Sequence, residues 1–115
     1  MNEVIRITSD QFDGVVAKSS LVIIDFTANW CPPCRVMDPV FKQTAAKYGS
    51  RAQFLKVNSD ENPELIARFS IQSLPTFLFL REGQVVDRLV GSRPGGKFES
   101  EIQEFLTAVP ETSLG

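Results

Sequence analysis

The sequence predicts an α/β domain in which a central mixed β-sheet of about five strands is covered on both faces by about four helices. Two observations carry this prediction. Short aliphatic segments alternate with segments whose apolar residues recur at helical spacing, in the order β-α-β-α-β-α-β-β-α. The last two strand segments flank Glu82 and Gly83, which predicts an antiparallel hairpin after earlier strands that are joined by crossover helices and run parallel.

The first two strands and the helix between them are predicted from residues 3–26. Residues 3–7, "EVIRI", have the short alternating pattern of a strand. Thr8 and Gln11 have the spacing of a capping box, and helical spacing follows at Phe12, Val15 and Val16. Residues 21–26, "LVIIDF", form the continuous aliphatic run of a strand that is buried on both faces.

A second helix is predicted to begin at Pro33 and to end near Gly49. Its apolar stripe consists of Val36, Met37, Val40, Phe41 and Ala45. Pro39 lies within this stripe and is expected to kink the helix, because proline lacks the N–H and clashes with the preceding turn.

The second half of the chain continues the alternation. Residues 52–57 predict a strand, and Asn62 followed by Pro63 predicts the start of a helix with Leu65, Ile66 and Phe69 on its apolar face. Residues 76–80 and 84–90 flank Glu82 and Gly83, as in a hairpin.

The last predicted helix ends the domain. Its apolar positions are Phe98, Ile102, Phe105, Leu106 and Val109. We therefore predict a single domain over residues 1–109 and a fraying C-terminal tail over residues 110–115.

Composition excludes several classes of protein. The net charge of −2 is not that of a nucleic-acid-binding protein, and the longest aliphatic runs are too short to span a bilayer. The N-terminal residues lack the basic and apolar regions of a secretory signal, so we expect a cytoplasmic location. A monomer is the expected oligomeric state.

The two cysteines, Cys31 and Cys34, are three residues apart at a predicted strand-to-helix junction. They could form half of a metal site, a static disulfide or a redox pair. A metal site normally needs four ligands, and the chain contains no histidine, so we expect no metal. A static disulfide would close a very short loop with little entropic benefit.

A redox pair agrees best with the position of the cysteines. The unpaired N–H groups and positive dipole end at a helix start favour an anion, which for a thiol is the reactive thiolate. We predict that Cys31 is the exposed nucleophile and that Cys34, one turn into the helix, is more buried and resolves the mixed disulfide.

Asp25 is the candidate for proton transfer. A carboxyl group inside "LVIIDF" is costly to ionise when buried, so its pKa is expected to rise toward neutrality, where it can exchange protons with Cys34. Lys56 becomes its charge partner if the strand that contains Lys56 pairs beside that of Asp25.

Several motifs in register resemble the thioredoxin family over nearly the whole chain, from about Val4 to Val109. The motifs are "DFTANWCPPC", the interior Pro39, "SLPTFLFL" with Pro75, and "LVGSRP" with Gly91. The resemblance implies a thioredoxin fold and a protein-disulfide reductase in which Cys31 attacks, Cys34 resolves, and Asp25 with Lys56 handles the proton.

The resemblance also implies a substrate-binding surface. Pro75 would be cis and lie against the two sulfurs, and Leu74 would offer its backbone to an extended substrate segment. Trp30, Val90 and Gly91 would complete a shallow apolar patch.

The same resemblance implies that the redox-active disulfide is the only redox group and that no cofactor is bound. The partners would be disulfide-containing proteins and a thioredoxin reductase, an NADPH-dependent flavoprotein. Pro32 replaces the glycine that is most frequent between the cysteines of the family, so Pro32 and Pro33 are expected to tune the redox couple. An oxidase or isomerase, and a binding module with incidental redox activity, remain alternatives.

Overall fold

The computed structural model describes residues 3–108, and these residues form five strands and four helices in the predicted order. In chain order the elements are β1 (Ile5–Arg6), α1 (Ser9–Val16), β2 (Leu21–Thr27), α2 (Pro32–Tyr48), β3 (Gln53–Asn58), α3 (Pro63–Arg68), β4 (Thr76–Arg81), β5 (Gln84–Val90) and α4 (Gly95–Thr107). Val109 and the tail that we predicted over residues 110–115 lie outside the described residues.

The five strands form one mixed sheet in the order β1-β3-β2-β4-β5. β1 and β2 run parallel to β3, as predicted for the early strands, whereas β4 is antiparallel to both β2 and β5. β2 therefore lies at the centre of the sheet. Its register places Asp25 opposite Lys56 of β3 on one side and Phe77 of β4 on the other.

The central position of β2 explains its continuous apolar run, because a separate core covers each face of the sheet. On one face, Ile23 packs with residues of α2 and α4 such as Phe41 and Phe98. On the other face, Ile24 packs with residues of α1 and α3 such as Phe12 and Leu65. Since side chains alternate along a strand, Asp25 faces the α2 and α4 side, as Ile23 does.

Helix α2 contains most of the predicted stripe and one exception. Met37, Phe41 and Ala45 are buried in the core under α2 and α4, and the helix continues through Pro39. Val36, which we had assigned to the stripe, is exposed, so that assignment is wrong. Successive residues of a helix point about 100° apart. Val36 directly precedes Met37, so it points to one side of the buried face on which Met37 lies.

The predicted hairpin is confirmed, with a two-residue turn between β4 and β5. Glu82 and Gly83 both adopt positive φ, 50° and 79°, which is the conformation that a twisted two-residue hairpin requires. β5 is an edge strand whose residues are mostly exposed, and its pairing with β4 is irregular at Phe79 and Leu80.

The predicted helix starts are present, although one works differently from the expectation. Gln11 accepts a hydrogen bond from the Thr8 N–H at 3.0 Å, as in the predicted capping box. Asn62 is the N-cap residue of α3 but makes no side-chain bond to that helix. Its Oδ1 instead accepts from the N–H of Ser9 at 2.8 Å, at the start of α1, and its Nδ2 donates to the Asn58 carbonyl at 2.8 Å.

Within residues 3–108, no helix is both long enough and apolar enough to cross a membrane.

Candidate active site

Cys31 and Cys34 are joined by a disulfide at the start of α2, with their Cα atoms 5.3 Å apart. Cys31 is the N-cap residue, and its Sγ accepts a hydrogen bond from the backbone N–H of Cys34 at 3.3 Å. This position is that of a capping oxygen, which is occupied here by sulfur. Negative charge on Cys31 Sγ is stabilised there by the N–H group and by the helix dipole.

Burial does not distinguish the two cysteines in this disulfide form. We expected Cys31 to be exposed and Cys34 to be buried, but their exposed fractions are 3% and 2%. The expectation for Cys31 is wrong because Leu74, which is distant in sequence, packs against Ala28 and the two cysteines. The difference between the two sulfurs therefore lies in hydrogen bonding at the helix start.

Pro32 and Pro33 occupy the first turn of α2, and both side chains are exposed. Proline is well tolerated at the first helical position because its fixed φ suits the helix and no N–H is needed there. Neither residue has an N–H to donate, so the N–H of Cys34 is the first one that the helix start can direct at Cys31 Sγ.

Asp25 is 2% exposed, and its Oδ1 has no hydrogen-bond partner among the described residues. Desolvation by burial is the main cause that raises its pKa, from 3.8 to about 7. The negative charge of Asp38 raises this pKa further, and the positive charge of Lys56 opposes both effects. The carboxyl group therefore titrates near neutral pH, as we predicted for a proton-transfer residue.

Lys56 is the cross-strand neighbour of Asp25, as the sequence suggested, but its ammonium group forms an ion pair with another carboxylate. Lys56 Nζ lies 3.1 Å from Oδ1 of Asp38, on α2. Sequence reasoning missed Asp38. The available signal was its position four residues after Cys34, which places the two on neighbouring turns of one helix face.

The peptide bond between Leu74 and Pro75 is cis, which confirms the expectation from the family resemblance. The Leu74 carbonyl oxygen lies 3.7 Å from Cys31 Sγ. The Pro75 carbonyl accepts a hydrogen bond from the N–H of Gly91 at 2.8 Å, and Gly91 has a φ of 92° that favours glycine. The loop before β4 is thereby connected both to the disulfide and to the end of β5.

Two large apolar side chains that we assigned to the substrate surface are exposed. Trp30 is 64% exposed, and its Nε1 donates to Oδ2 of Asp60 at 2.8 Å, which orients the ring. Val90, at the end of β5, is also exposed and pairs with Thr76, the residue that follows Pro75.

Three polar residues that sequence reasoning did not identify support this region. Asp60 binds Trp30, and Arg35 donates from Nε and Nη2 to the carbonyl of Asn29, at 3.2 and 2.8 Å. Arg93 donates from Nη2 to the Val90 carbonyl at 2.9 Å. Each contact joins residues in different parts of the fold or in an irregular loop, so helical or strand periodicity carries no signal for it.

The arrangement can perform two-electron exchange between dithiol and disulfide, with a buried carboxyl group that titrates near neutral pH on the adjoining strand. No cluster of three or more potential metal ligands is found in the part of the chain that the structure describes.

The sequence is similar to those of known proteins over most of its length. Residues 3–104 match the family model named Thioredoxin. The chain is 45% identical over 82 residues to "Thioredoxin H4" of Arabidopsis thaliana, covering 71% of this chain and 69% of that protein. It is 38% identical over 103 residues to a Staphylococcus aureus thioredoxin, covering 90% of this chain and 98% of that protein.

Solved structures agree over nearly the whole chain. A thioredoxin of Malassezia sympodialis, described as a member of a pan-allergen family, has a TM-score of 0.85 at 34% identity, with 93% of this chain and 94% of that chain covered. A mutant thioredoxin from Halobacterium salinarum has a TM-score of 0.85 at 26% identity, covering 95% of this chain and 96% of that chain.

Proposed function

This chain belongs to the thioredoxin family and is a thiol–disulfide oxidoreductase, and from that premise we propose that it reduces the disulfides of other proteins with electrons from Cys31 and Cys34. One observation carries the proposal: the two cysteines are within bonding distance at the start of α2, where the Cys34 N–H donates to Cys31 Sγ. A thiolate is favoured at that sulfur, and its partner is in place to displace the substrate.

The reaction consists of two exchanges that balance in atoms and electrons. The Cys31 thiolate attacks one sulfur of a substrate disulfide, forming a mixed disulfide and releasing the other substrate sulfur as a thiolate. Cys34 loses its proton and attacks Cys31 Sγ, which forms the Cys31–Cys34 disulfide and releases the second substrate thiolate. The substrate gains two electrons, and the pair of cysteines loses them.

Asp25 is the proposed acceptor of the Cys34 proton. A carboxyl group with a pKa of about 7 is partly ionised at neutral pH, so it can take up a proton and return it later. Lys56 acts as the charged neighbour that favours the ionised form of Asp25.

The substrate segment is proposed to bind across the surface formed by Trp30, Leu74, Pro75, Val90 and Gly91. The exposed rings and methyl groups of Trp30 and Val90 offer apolar contact. The backbone at Leu74 offers hydrogen bonds to an extended chain, as in strand addition. Such a small surface suits many substrates and rapid release.

The oxidised pair requires a reductant. We assign this role to a thioredoxin reductase, an NADPH-dependent flavoprotein, by analogy with the family. In this electron-transport role the protein would act as a monomer in the cytoplasm, with proteins as partners and no bound cofactor.

Reduction of a disulfide-bonded protein by dithiothreitol tests the proposal. The wild-type protein is expected to accelerate the reaction, and Cys31→Ser to abolish the acceleration. In a separate reaction without dithiothreitol, reduced Cys34→Ser is expected to accumulate mixed disulfide with the substrate, because the resolving thiol is absent. Circular dichroism of each variant controls for folding. Activity that persists in Cys31→Ser would exclude the assigned roles.

The direction of electron flow is tested separately. Equilibration of the Cys31–Cys34 couple with glutathione gives its reduction potential. A couple more reducing than the glutathione pool supports a reductase, and a more oxidising couple would favour the oxidase or isomerase.

A further inference from the structure

One charged residue beside the candidate active site has no part in the thiol exchange described above. Asp38 lies on α2, one turn after Cys34, and its carboxylate forms an ion pair with Lys56. Lys56 is also the cross-strand neighbour of Asp25. The ammonium group of Lys56 therefore has two neighbouring carboxyl groups: Asp38, which is partly exposed, and Asp25, which is buried.

The geometry shows which carboxylate holds the ammonium group. Lys56 Nζ is 3.1 Å from Asp38 Oδ1, and the two side chains are 24% and 41% exposed, so the pair is in contact with solvent. Asp25 Oδ1 has no hydrogen-bond partner among residues 3–108. The ammonium group of Lys56 is thus bound by the more exposed carboxylate, and Oδ1 of the buried Asp25 is left without a hydrogen-bond partner.

Two further charged groups lie beside the Lys56–Asp38 pair. Arg6 of β1, which pairs with Lys56, and Lys42 of α2 line a cavity of about 250 Å³ together with Asp38 and Lys56. On the remaining sides, β4 presents Phe77 and α4 presents Phe98 to this face of the sheet. The cavity gives the Lys56 side chain room to move if its partner is removed.

We propose that Asp38 is a positioning residue for proton transfer, which holds the Lys56 ammonium group away from Asp25. This inference rests on the proposed role of Asp25 and deepens it. Without Asp38, Lys56 would turn toward Asp25, and the ionised form of Asp25 would gain a cation and lose a neighbouring anion. Both changes would lower the pKa of Asp25, because the charge of Asp38 raises this pKa and the charge of Lys56 lowers it.

The test is an NMR titration of the Asp25 carboxyl carbon in wild type, Asp38→Ala, Lys56→Met and the double variant. Asp38→Ala is expected to move the Asp25 midpoint downward by about one pH unit, and Lys56→Met to move it upward. In the Lys56→Met background, Asp38→Ala is expected to have a smaller effect, because no ammonium group is left to redirect. Asp13→Ala is the matched control: it removes a carboxylate that pairs with Arg68 at 3.0 Å and is expected to leave the midpoint unchanged.

An unchanged midpoint in Asp38→Ala would overturn the proposal. An equal shift in both backgrounds would also overturn it, because Asp38 would then act only through its own charge. The pH profile of turnover is measured on the same variants. If the Asp25 midpoint moves as expected while the pH profile does not follow, Asp38 still holds Lys56 away from Asp25, but the proton-transfer role of Asp25 fails and the part of Asp38 in proton transfer is overturned with it.

Discussion

Asp25 is a carboxyl group in the middle of an aliphatic strand, where the fold gives it almost no contact with water. An apolar residue at this position would allow β2 to pack on both faces without an electrostatic cost. The burial that raises the pKa of Asp25 to about 7 is therefore a destabilising feature whenever the group is ionised. We interpret the residue as one that is placed for chemistry at the expense of stability.

This interpretation predicts how stability depends on pH. The pKa of Asp25 is about 7 in the folded state, against an ordinary value of 3.8, so between these values the folded protein retains a proton that the unfolded chain releases. The free energy of unfolding should therefore fall as pH rises through this window, by at most about 4 kcal/mol. In Asp25→Asn this contribution to the slope should disappear, and the variant should gain in relative stability from about pH 4 to about pH 8.

Urea unfolding of both proteins across this pH range measures the effect. The slope, and not the offset, is the test, because a buried amide introduces a cost that does not depend on pH. Equal pH dependence in the two proteins would show that Asp25 does not titrate in this window.

Trp30 is the opposite of Asp25: it is a large apolar residue that lies in solvent, and its side chain contributes little to the packing of the fold. Its ring is held by one hydrogen bond to Asp60 and is otherwise largely in solvent. Trp30→Ala is expected to change the free energy of unfolding by less than about 0.5 kcal/mol, and to lower kcat/KM for a protein disulfide by about ten-fold. Val85→Ala, at an exposed position near the hairpin turn, is the matched control and should leave both quantities unchanged. A loss of stability in Trp30→Ala without a loss of kcat/KM would contradict the assignment.

At the scale of elements, α4 is connected to the end of β5 through a pair of partly buried charges. Arg93 Nη1 lies 2.7 Å from Oε2 of Glu101, and the side chains are 13% and 19% exposed. The same guanidinium group holds the carbonyl of Val90, and the Arg93 N–H donates to Met37 Sδ at 3.5 Å. The surface at Val90 and Gly91 is thus positioned by contacts to two helices.

Substitution of this pair should separate stability from substrate binding. Glu101→Leu alone leaves the guanidinium group of Arg93 without its anion and should destabilise the fold by about 1–3 kcal/mol. Adding Arg93→Met should recover most of this stability, because no unpaired charge then remains. The double variant lacks the hydrogen bond from Arg93 to the Val90 carbonyl, so its KM for a protein disulfide should be higher than that of the wild type. Urea midpoints and steady-state kinetics check both parts, and a wild-type KM in the double variant would show that Arg93 does not position the surface.

The elements themselves were largely predictable, because each has a local cause in the sequence. The aliphatic run of β2 and the two-residue turn at Glu82 and Gly83 depend on neighbouring residues only. Asp25 was predictable as well, since a carboxyl group is costly to bury and stands out within such an aliphatic run.

Asp38 and Arg93 were not predictable, because each resembles an ordinary solvated residue until the fold brings its partner close. The burial of Cys31 was missed for the same reason, since Leu74 covers it from 43 positions along the chain.

At the scale of the whole molecule, two cores share one sheet. Phe41, Phe54, Phe77 and Phe98 form contacts between rings on the face covered by α2 and α4, with centroid distances from 4.9 to 6.2 Å. Phe12 and Phe69 pack on the other face at 5.3 Å. β2 contributes alternate residues to both cores, so neither layer can lose its packing without disturbing the backbone of the other.

We therefore expect a single cooperative unfolding transition, even when one core is damaged. Phe41→Ala and Phe12→Ala, one in each core, should each lower the free energy of unfolding by about 3–5 kcal/mol, because both rings are fully buried. In each variant, far-UV circular dichroism and the fluorescence of Trp30, the only tryptophan, should report the same urea midpoint. Val86→Ala, an exposed position on β5, is the control and should lower the midpoint little. One transition is expected because a shared sheet cannot remain intact on one face after the other has unfolded. Two separate transitions in either core variant would show that the layers fold independently.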